Sequence, residues 1–262
     1  MSSILKEIAA YKREWVVNCK KKQSEASLLN QAQAYQPLDF SGALTQRIAN
    51  KQNAVITEVK KASPSKGMIR DDFDAVWIAK SYEEGGASCL SVLTDVKYFQ
   101  GSDDYVRDIR QAVTIPILRK EFIVDPYQII EARAMGADCI LIILAMIDDG
   151  LAHELAATAK ELGLSILPEV HNAQELERAM DLNTSLMGIN NRNLHSFDIS
   201  LQTTLDLQHE VGSERTVITE SGIFTHDDIQ MMNQADIYGF LVGESLMRQE
   251  IPGDAVKQLL FH

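Results

Sequence analysis

The chain has 262 residues, 45% of them hydrophobic and 24% charged, with a formal net charge of −12. That balance excludes disordered, collagen-like and coiled-coil classes, suits one α/β barrel of about 250 residues, and argues against a broad nucleic-acid or anionic-membrane surface. No run approaches the roughly 20 apolar residues that span a bilayer, no secretory signal core opens the chain, and Cys19, Cys89 and Cys139 lack the spacing of a disulfide framework or zinc site. The expectation is a cytoplasmic protein with structural thiols, no metal, and no nucleic-acid or membrane partner.

In chain order, the helical spacing of Ile4, Ile8, Tyr11 and Trp15 predicts an amphipathic N-terminal helix. Lys20, Lys21 and Lys22 after it read as a solvated face. Pro37 marks a turn, and Ser41 to Ala49 a further short helix. Residues 1–50 are then a helical extension over the rest of a single domain, 1–262. They form a lid packed on its end or, alternatively, a partner-binding arm.

From about residue 53, short β-branched runs alternate with helical patterns, the order that builds a parallel sheet covered by helices. Eight runs begin near Ala54, Ser88, Ile115, Cys139, Ser165, Leu186, Thr216 and Ile237, spaced by about 26 residues, the size of a βα unit. Eight such units fit a closed (β/α)8 barrel, the TIM barrel, better than an open doubly wound sheet. No gap suggests a hairpin. One unit shows the pattern fully: Asp148 or Asp149 caps a helix with the stripe Leu151, Leu155, Ala159 and Leu162, and Gly163 ends it. Ser165 to Val170 follows as a strand, and Asn172 to Glu175 reads as a capping box for the next helix. Pro168 removes a ladder donor inside that strand, so a bulge is expected there.

In such a barrel the C-terminal strand ends carry the active site. Alternation puts Glu58 and Lys60 on the face of Ile56, and Lys120 and Phe122 on the face of Leu118. Glu169, Asn190, Arg192 and Glu220 end the fifth, sixth and seventh runs. Lysines and glutamates around one mouth suit acid–base chemistry on an anion, with satisfied ion pairs closing the barrel top as the bland alternative. Ser221-Gly222 and Gly243-Glu244-Ser245 each follow a strand directly. Glycine there lets backbone N–H groups approach an anion, the usual phosphate position of this architecture. His171 is read as structural or supporting, on the side away from Glu169. No nucleophile elbow, Walker loop or H-E-x-x-H pair is present.

Glu58-Val59-Lys60-Lys61-Ala62-Ser63-Pro64-Ser65-Lys66-Gly67 resembles the signature of the indole-3-glycerol-phosphate synthases, enzymes of tryptophan biosynthesis. The likeness continues through Ser91 to Asp95, Phe99 to Ser102, Leu118 to Tyr127, Glu169 to His171, Gly188 to Leu194, Glu220 to Ile223 and Gly243 to Met247. With no second barrel after His262, it is to the monofunctional form. The resemblance implies a lyase that closes 1-(2-carboxyphenylamino)-1-deoxyribulose 5-phosphate to an indole with loss of carbon dioxide and water, without cofactor. It implies Lys120 as general acid, Glu169 as general base, and Lys60 as a phosphate- and substrate-contacting lysine sharing acid duty. Glu58 and Asn190 match orienting neighbours. Ser63 and Phe122, with Arg192 and Glu220, match the substrate pocket, and Ser221, Gly222, Gly243, Glu244 and Ser245 the phosphate turns.

Burial beside a second lysine is expected to lower the pKa of Lys120. Glu121 and Asn193 stand where aspartate is expected, and Pro168 is unusual. A monomer or weak homo-oligomer acting on a sugar phosphate is the expectation. Another phosphate-binding barrel enzyme, an isomerase or a Schiff-base aldolase using Lys120, is the first alternative, and a non-catalytic phosphate-ligand sensor the second.

Overall fold

A computed structural model describes residues 3–194 and 196–261. Eight strands close into a parallel barrel: β1 (Ala54–Val59), β2 (Cys89–Leu93), β3 (Ile117–Lys120), β4 (Cys139–Ile143), β5 (Ser165–Val170), β6 (Leu186–Asn190), β7 (Thr216–Glu220) and β8 (Gly239–Val242). Each begins within two residues of its expected start. Following the registers once around the sheet returns to β1 eight residues earlier, the stagger of an eight-stranded barrel with shear eight. Partners in register share a face. The chain of partners therefore places Glu58, Lys120, Glu169, Asn190 and Glu220 inward together.

The helices follow their sequence signals. Asp148 caps α4 (Asp149–Glu161) by accepting from Leu151 N at 2.9 Å, and Ala152, Leu155 and Ala159 form its buried stripe, with Leu151 and Leu162 of the expected stripe only half-buried. Asn172 accepts from Glu175 N at 3.0 Å to open α5 (Ala173–Met180), but the expected capping box is only half formed, since the Glu175 carboxylate receives the backbone N of His171 at 2.8 Å in place of that of Asn172. No bulge forms at Pro168. The β4 register runs unbroken through it, and pairing with β6 begins only at Glu169. Thr184 Oγ1 reaches both Ile166 O (3.0 Å) and Leu186 O (3.3 Å) on that side. A side-chain hydroxyl thus serves carbonyls beside the missing ladder donor.

Three helices precede β1: α1 (Ser3–Lys22), α2 (Glu25–Ala32), which the apolar pattern did not announce, and α3 (Phe40–Ala49). The buried face of α1 is Leu5, Ile8, Ala9, Lys12 and Val16, while Trp15 is exposed. The stripe is rotated from the expected one because Lys12 is sunk into it. Lys12 Nζ lies 2.8 Å from Asp95 Oδ2 and 2.7 Å from Glu121 Oε1, all three side chains buried. An ammonium can occupy an apolar face when two carboxylates wait beneath it. At the opposite end α3 packs Phe40 and Leu44 against the strand starts, and Ser41 N donates to Ser165 Oγ at 3.3 Å. A two-residue antiparallel pair, Ala62–Ser63 with Gly67–Met68, lies in the loop after β1. It is too short to leave a hairpin signal.

Candidate active site

All fourteen residues singled out from the sequence line one pocket at the C-terminal mouth, of about 200 Å³. The strands supply its floor: Glu58, Lys120, Glu169, Asn190 and Glu220. Ile4, Leu5 and Ile8 of α1 reach across its top, and Phe99 and Phe122, ring centroids 5.9 Å apart, form an aromatic wall with Ser63 nearby on the loop after β1. Leu194, Phe197 and Phe224 complete the apolar rim. These rim residues sit on loops without periodicity, so no pattern marked them.

Lys120 is the hub. Its Nζ lies 2.6 Å from Glu220 Oε2 and 3.1 Å from Glu169 Oε2. Burial opposes its charge, but the two carboxylates outweigh burial and hold its pKa well above the ordinary lysine value. The expected lowering is therefore reversed: the nearest charges are carboxylates, and Lys60 is engaged elsewhere, its Nζ against Glu58 Oε2. Glu169 is also buried, which alone would raise its pKa. The Lys120 charge and His171 overcome that and keep it ionised well below the usual carboxylate range. Asn190 Nδ2 donates to Glu169 Oε1 at 3.2 Å, and Asn190 Oδ1 accepts from Arg192 N at 3.0 Å, which fixes the amide. Glu220 ends on the other side of the balance. Burial dominates, Lys120 only partly relieves it, and the Glu169 charge adds to it, so its pKa is raised to about 7. Its Oε1 is buried and has no hydrogen-bond partner among the described residues.

His171 contradicts its expected orientation. Its Nε2 lies 3.3 Å from Glu169 Oε1, and its backbone N and Nδ1 both reach Glu175 Oε2, at 2.8 and 2.9 Å. Residues two apart along an extended chain share a side, so Glu169 and His171 point the same way. Burial disfavours the imidazolium, yet the two glutamates outweigh it and raise its pKa to about 9.

Two glycines make room for this cluster. A Cβ on Gly188 would fall 2.4 Å from Glu220 Oε1 and 2.9 Å from Pro168 O, and one on Gly243 2.5 Å from Glu58 Oε2 and 3.1 Å from Lys60 Nζ. Lys60 therefore stands at the Gly243 turn. Across from it, Ser221 and Gly222 take positive φ angles of 64° and 92°, and Ser245 Oγ donates to Ile223 O at 3.1 Å, tying the two turns together. The Glu244 carboxylate meets Arg248 at 3.1 Å and Lys66 at 3.8 Å. Its charge is thus answered by two cations, and what it can offer an anion is its backbone N–H. Among the described residues no histidine, cysteine, aspartate or glutamate cluster could hold a metal, and no helix is long and apolar enough to cross a membrane.

A family model described as indole-3-glycerol phosphate synthase matches residues 5–259. The chain belongs to the indole-3-glycerol phosphate synthase family. That places it among the enzymes of tryptophan biosynthesis, with a small sugar phosphate as substrate. Among solved structures, thiamine phosphate pyrophosphorylase from Pyrococcus furiosus superposes with a TM-score of 0.57 at 16% identity, covering 80% of this chain and 94% of that one. Tryptophan synthase subunit alpha from Legionella pneumophila gives 0.59 at 14% identity, covering 84% and 96%. At these identities both likenesses speak for the barrel alone.

Proposed function

We propose that the chain is a decarboxylating carbon–carbon lyase that closes 1-(2-carboxyphenylamino)-1-deoxyribulose 5-phosphate to indole-3-glycerol phosphate, with Lys120 as acid and Glu169 as base. The observation that carries this reading is a protonated lysine held by two carboxylates, 3.1 and 2.6 Å away, at the floor of a pocket that is aromatic on one side and glycine-lined on the other. The substrate phosphate rests on the Ser221-Gly222 and Gly243-Ser245 turns, where backbone N–H groups and Lys60 meet it. Its aromatic ring lies against Phe122 and Phe99, under the α1 lid. Anchoring both ends brings the ring carbon that bears the carboxylate to the ketone carbon.

As the new carbon–carbon bond forms, Lys120 gives a proton to the ketone oxygen, and its positive charge has until then offset the substrate carboxylate. Carbon dioxide leaves and its bonding pair restores the aromatic ring. A second proton, from Lys120 or Lys60, makes the hydroxyl a leaving water, and Glu169 removes a proton from the adjacent carbon to finish the indole. Glu58 and Asn190 orient Lys60 and Glu169. Ser63, Arg192 and Glu220 border the substrate. No cofactor enters the scheme.

A Schiff-base aldolase would need Lys120 as a neutral amine, and its two carboxylate neighbours oppose that form, so borohydride with a keto substrate should trap no adduct. The direct test supplies the carboxyphenylamino substrate and follows indole fluorescence, with Lys120→Met and Glu169→Gln as controls. Wild-type turnover that disappears in Lys120→Met supports the reading. Full activity in that variant sinks it.

A further inference from the structure

The scheme above does not balance within the site. Two protons go onto the oxygen that leaves as water, one returns from carbon, and the departing carbon dioxide began as a carboxylate. Each turnover therefore takes up one proton from solvent. On the α1 side the pocket is covered by Ile4, Leu5 and Ile8, which carry no titratable group.

A second cavity offers one. About 370 Å³ in volume, it lies beside the first and shares Leu5, Asn190, Arg192 and Leu194 with it, and apart from Ala145 its other walls are polar and include His171, Glu175 and Asp198. Glu169 lines the first cavity and His171 the second, and their side chains meet at 3.3 Å across the partition. Lys120, Glu169, His171 and Glu175 thus form one file, with separations of 3.1, 3.3 and 2.9 Å. We propose that this file is the proton entrance of the enzyme, with His171 as a positioning and proton-supplying residue that acts on the substrate only through Glu169.

The chemistry of the file sets its direction. Glu175 accepts from the backbone N and Nδ1 of His171, which keeps the Nδ1 proton in place and leaves Nε2 as the mobile position. After the first donation by Lys120, the imidazolium gives its Nε2 proton to Glu169 Oε1, and the carboxyl turns to pass that proton to the neutral amine, which makes the second donation. The proton that Glu169 then takes from carbon goes back to Lys120. His171 ends as a neutral imidazole with the proton on Nδ1. Its Nε2 is buried in the resting structure, so it regains its proton from water when the ring turns toward the polar cavity that His171 lines. One proton enters, none is lost, and Lys120 and Glu169 return to ammonium and carboxylate. Among the described residues the charged groups facing His171 and its cavity are Glu169 on β5, Glu175 on α5, and Arg192 and Asp198 on the loop after β6. The carboxylates nearest the ring favour the imidazolium near neutral pH, as the file requires.

This inference rests on the proposed reaction, and the test separates the two. Wild-type chain, His171→Gln, His171→Ala and Glu175→Gln are assayed for kcat and KM with the carboxyphenylamino substrate across pH. His171→Gln, which cannot ionise, should lose about tenfold or more in kcat with KM within about twofold. Added imidazole should restore His171→Ala in proportion to its imidazolium content. In Glu175→Gln the alkaline limb of kcat should move to lower pH, because His171 loses one of the two partners that raise its pKa. A kcat for His171→Gln within about twofold of wild type overturns the entrance while leaving the reaction standing. So does a folded His171→Ala that is slow and indifferent to imidazole. No turnover by the wild-type chain overturns both.

Discussion

At the N-terminal end of the barrel Asp138 is fully buried, yet both of its oxygens are occupied. Tyr35 Oη and Leu38 N donate to one, at 2.8 and 2.7 Å, and Ile117 N and Arg110 to the other, at 2.7 and 3.0 Å. At the C-terminal end Glu220 is almost as deeply buried, but one oxygen shares Lys120 with Glu169 and the other has no partner among the described residues. Asp138 stands one residue before β4, and Glu220 is the last residue of β7. The first closes its hydrogen bonds and holds the α2–α3 connection to β3, whereas the second is left with capacity to spare. A buried acceptor without a donor costs stability, and here that cost collects where a ligand would sit.

Lys120→Met makes the largest break in this contrast. It should lower kcat/KM by at least about 10³-fold, read by indole fluorescence, because it removes the acid and leaves two carboxylates facing each other. Asp138→Asn is its mirror. Its amide nitrogen would face a donor that now meets an oxygen, so we expect a loss of roughly 2–4 kcal/mol in unfolding free energy, measured by urea titration. Turnover at a temperature where the variant stays folded should be unchanged. If Asp138→Asn lowered kcat while stability held, the division between the two ends would be wrong.

Gly188→Ala sharpens the comparison on a smaller scale. The added Cβ would meet Glu220 Oε1, which can swing, and Pro168 O, which is backbone and cannot. The expected result is a displaced Glu220, a 10- to 100-fold fall in kcat, roughly 1.4–2.8 kcal/mol in the barrier, and little change in KM. A full-rate Gly188→Ala would show that the Glu220 position is not needed.

Much of this was legible beforehand, and what was not has identifiable causes. The strand starts and the inward set Glu58, Lys120, Glu169, Asn190 and Glu220 follow from period-two alternation, which a parallel barrel enforces on every strand. The glycine turns at Gly222 and Gly243 were visible as glycines within two residues of strand ends. Lys12 was not legible, since a lysine in a helical stripe reads as solvent-facing until Asp95 and Glu121 arrive from loops distant in the chain. The same cause hid the direction of the Lys120 shift: the sequence places its lysines and glutamates at one mouth but does not pair them. His171 was misplaced against its own alternation rule, and its partner Glu175 was seen only as a helix cap. The backbone N of His171 and the Asn172 side chain do reach Glu175, so capping and the contact with His171 Nδ1 use one carboxylate.

The smallest effect is a pH slope. Glu220 titrates near 7 in the folded chain against 4.5 ordinarily, so between those values the folded state holds a proton that the unfolded state has released. Stability then falls as pH rises through that window. The full interval would correspond to about 3 kcal/mol, and because Glu169 and Lys120 respond to the same proton we expect on the order of 1–2 kcal/mol. Burial raises the Asp138 carboxyl as well, its four donors offsetting this only in part, so it adds a slope of the same sign just above its ordinary range, and Glu220→Gln leaves that slope in place. Glu220→Gln should flatten the slope between pH 4.5 and 7, seen as a smaller difference in urea midpoint between those pH values than in wild type, and it should lower turnover. An unchanged slope would mean that Glu220 stays ionised beside Lys120, and the strain assigned to the C-terminal end would have to lie elsewhere in the cluster.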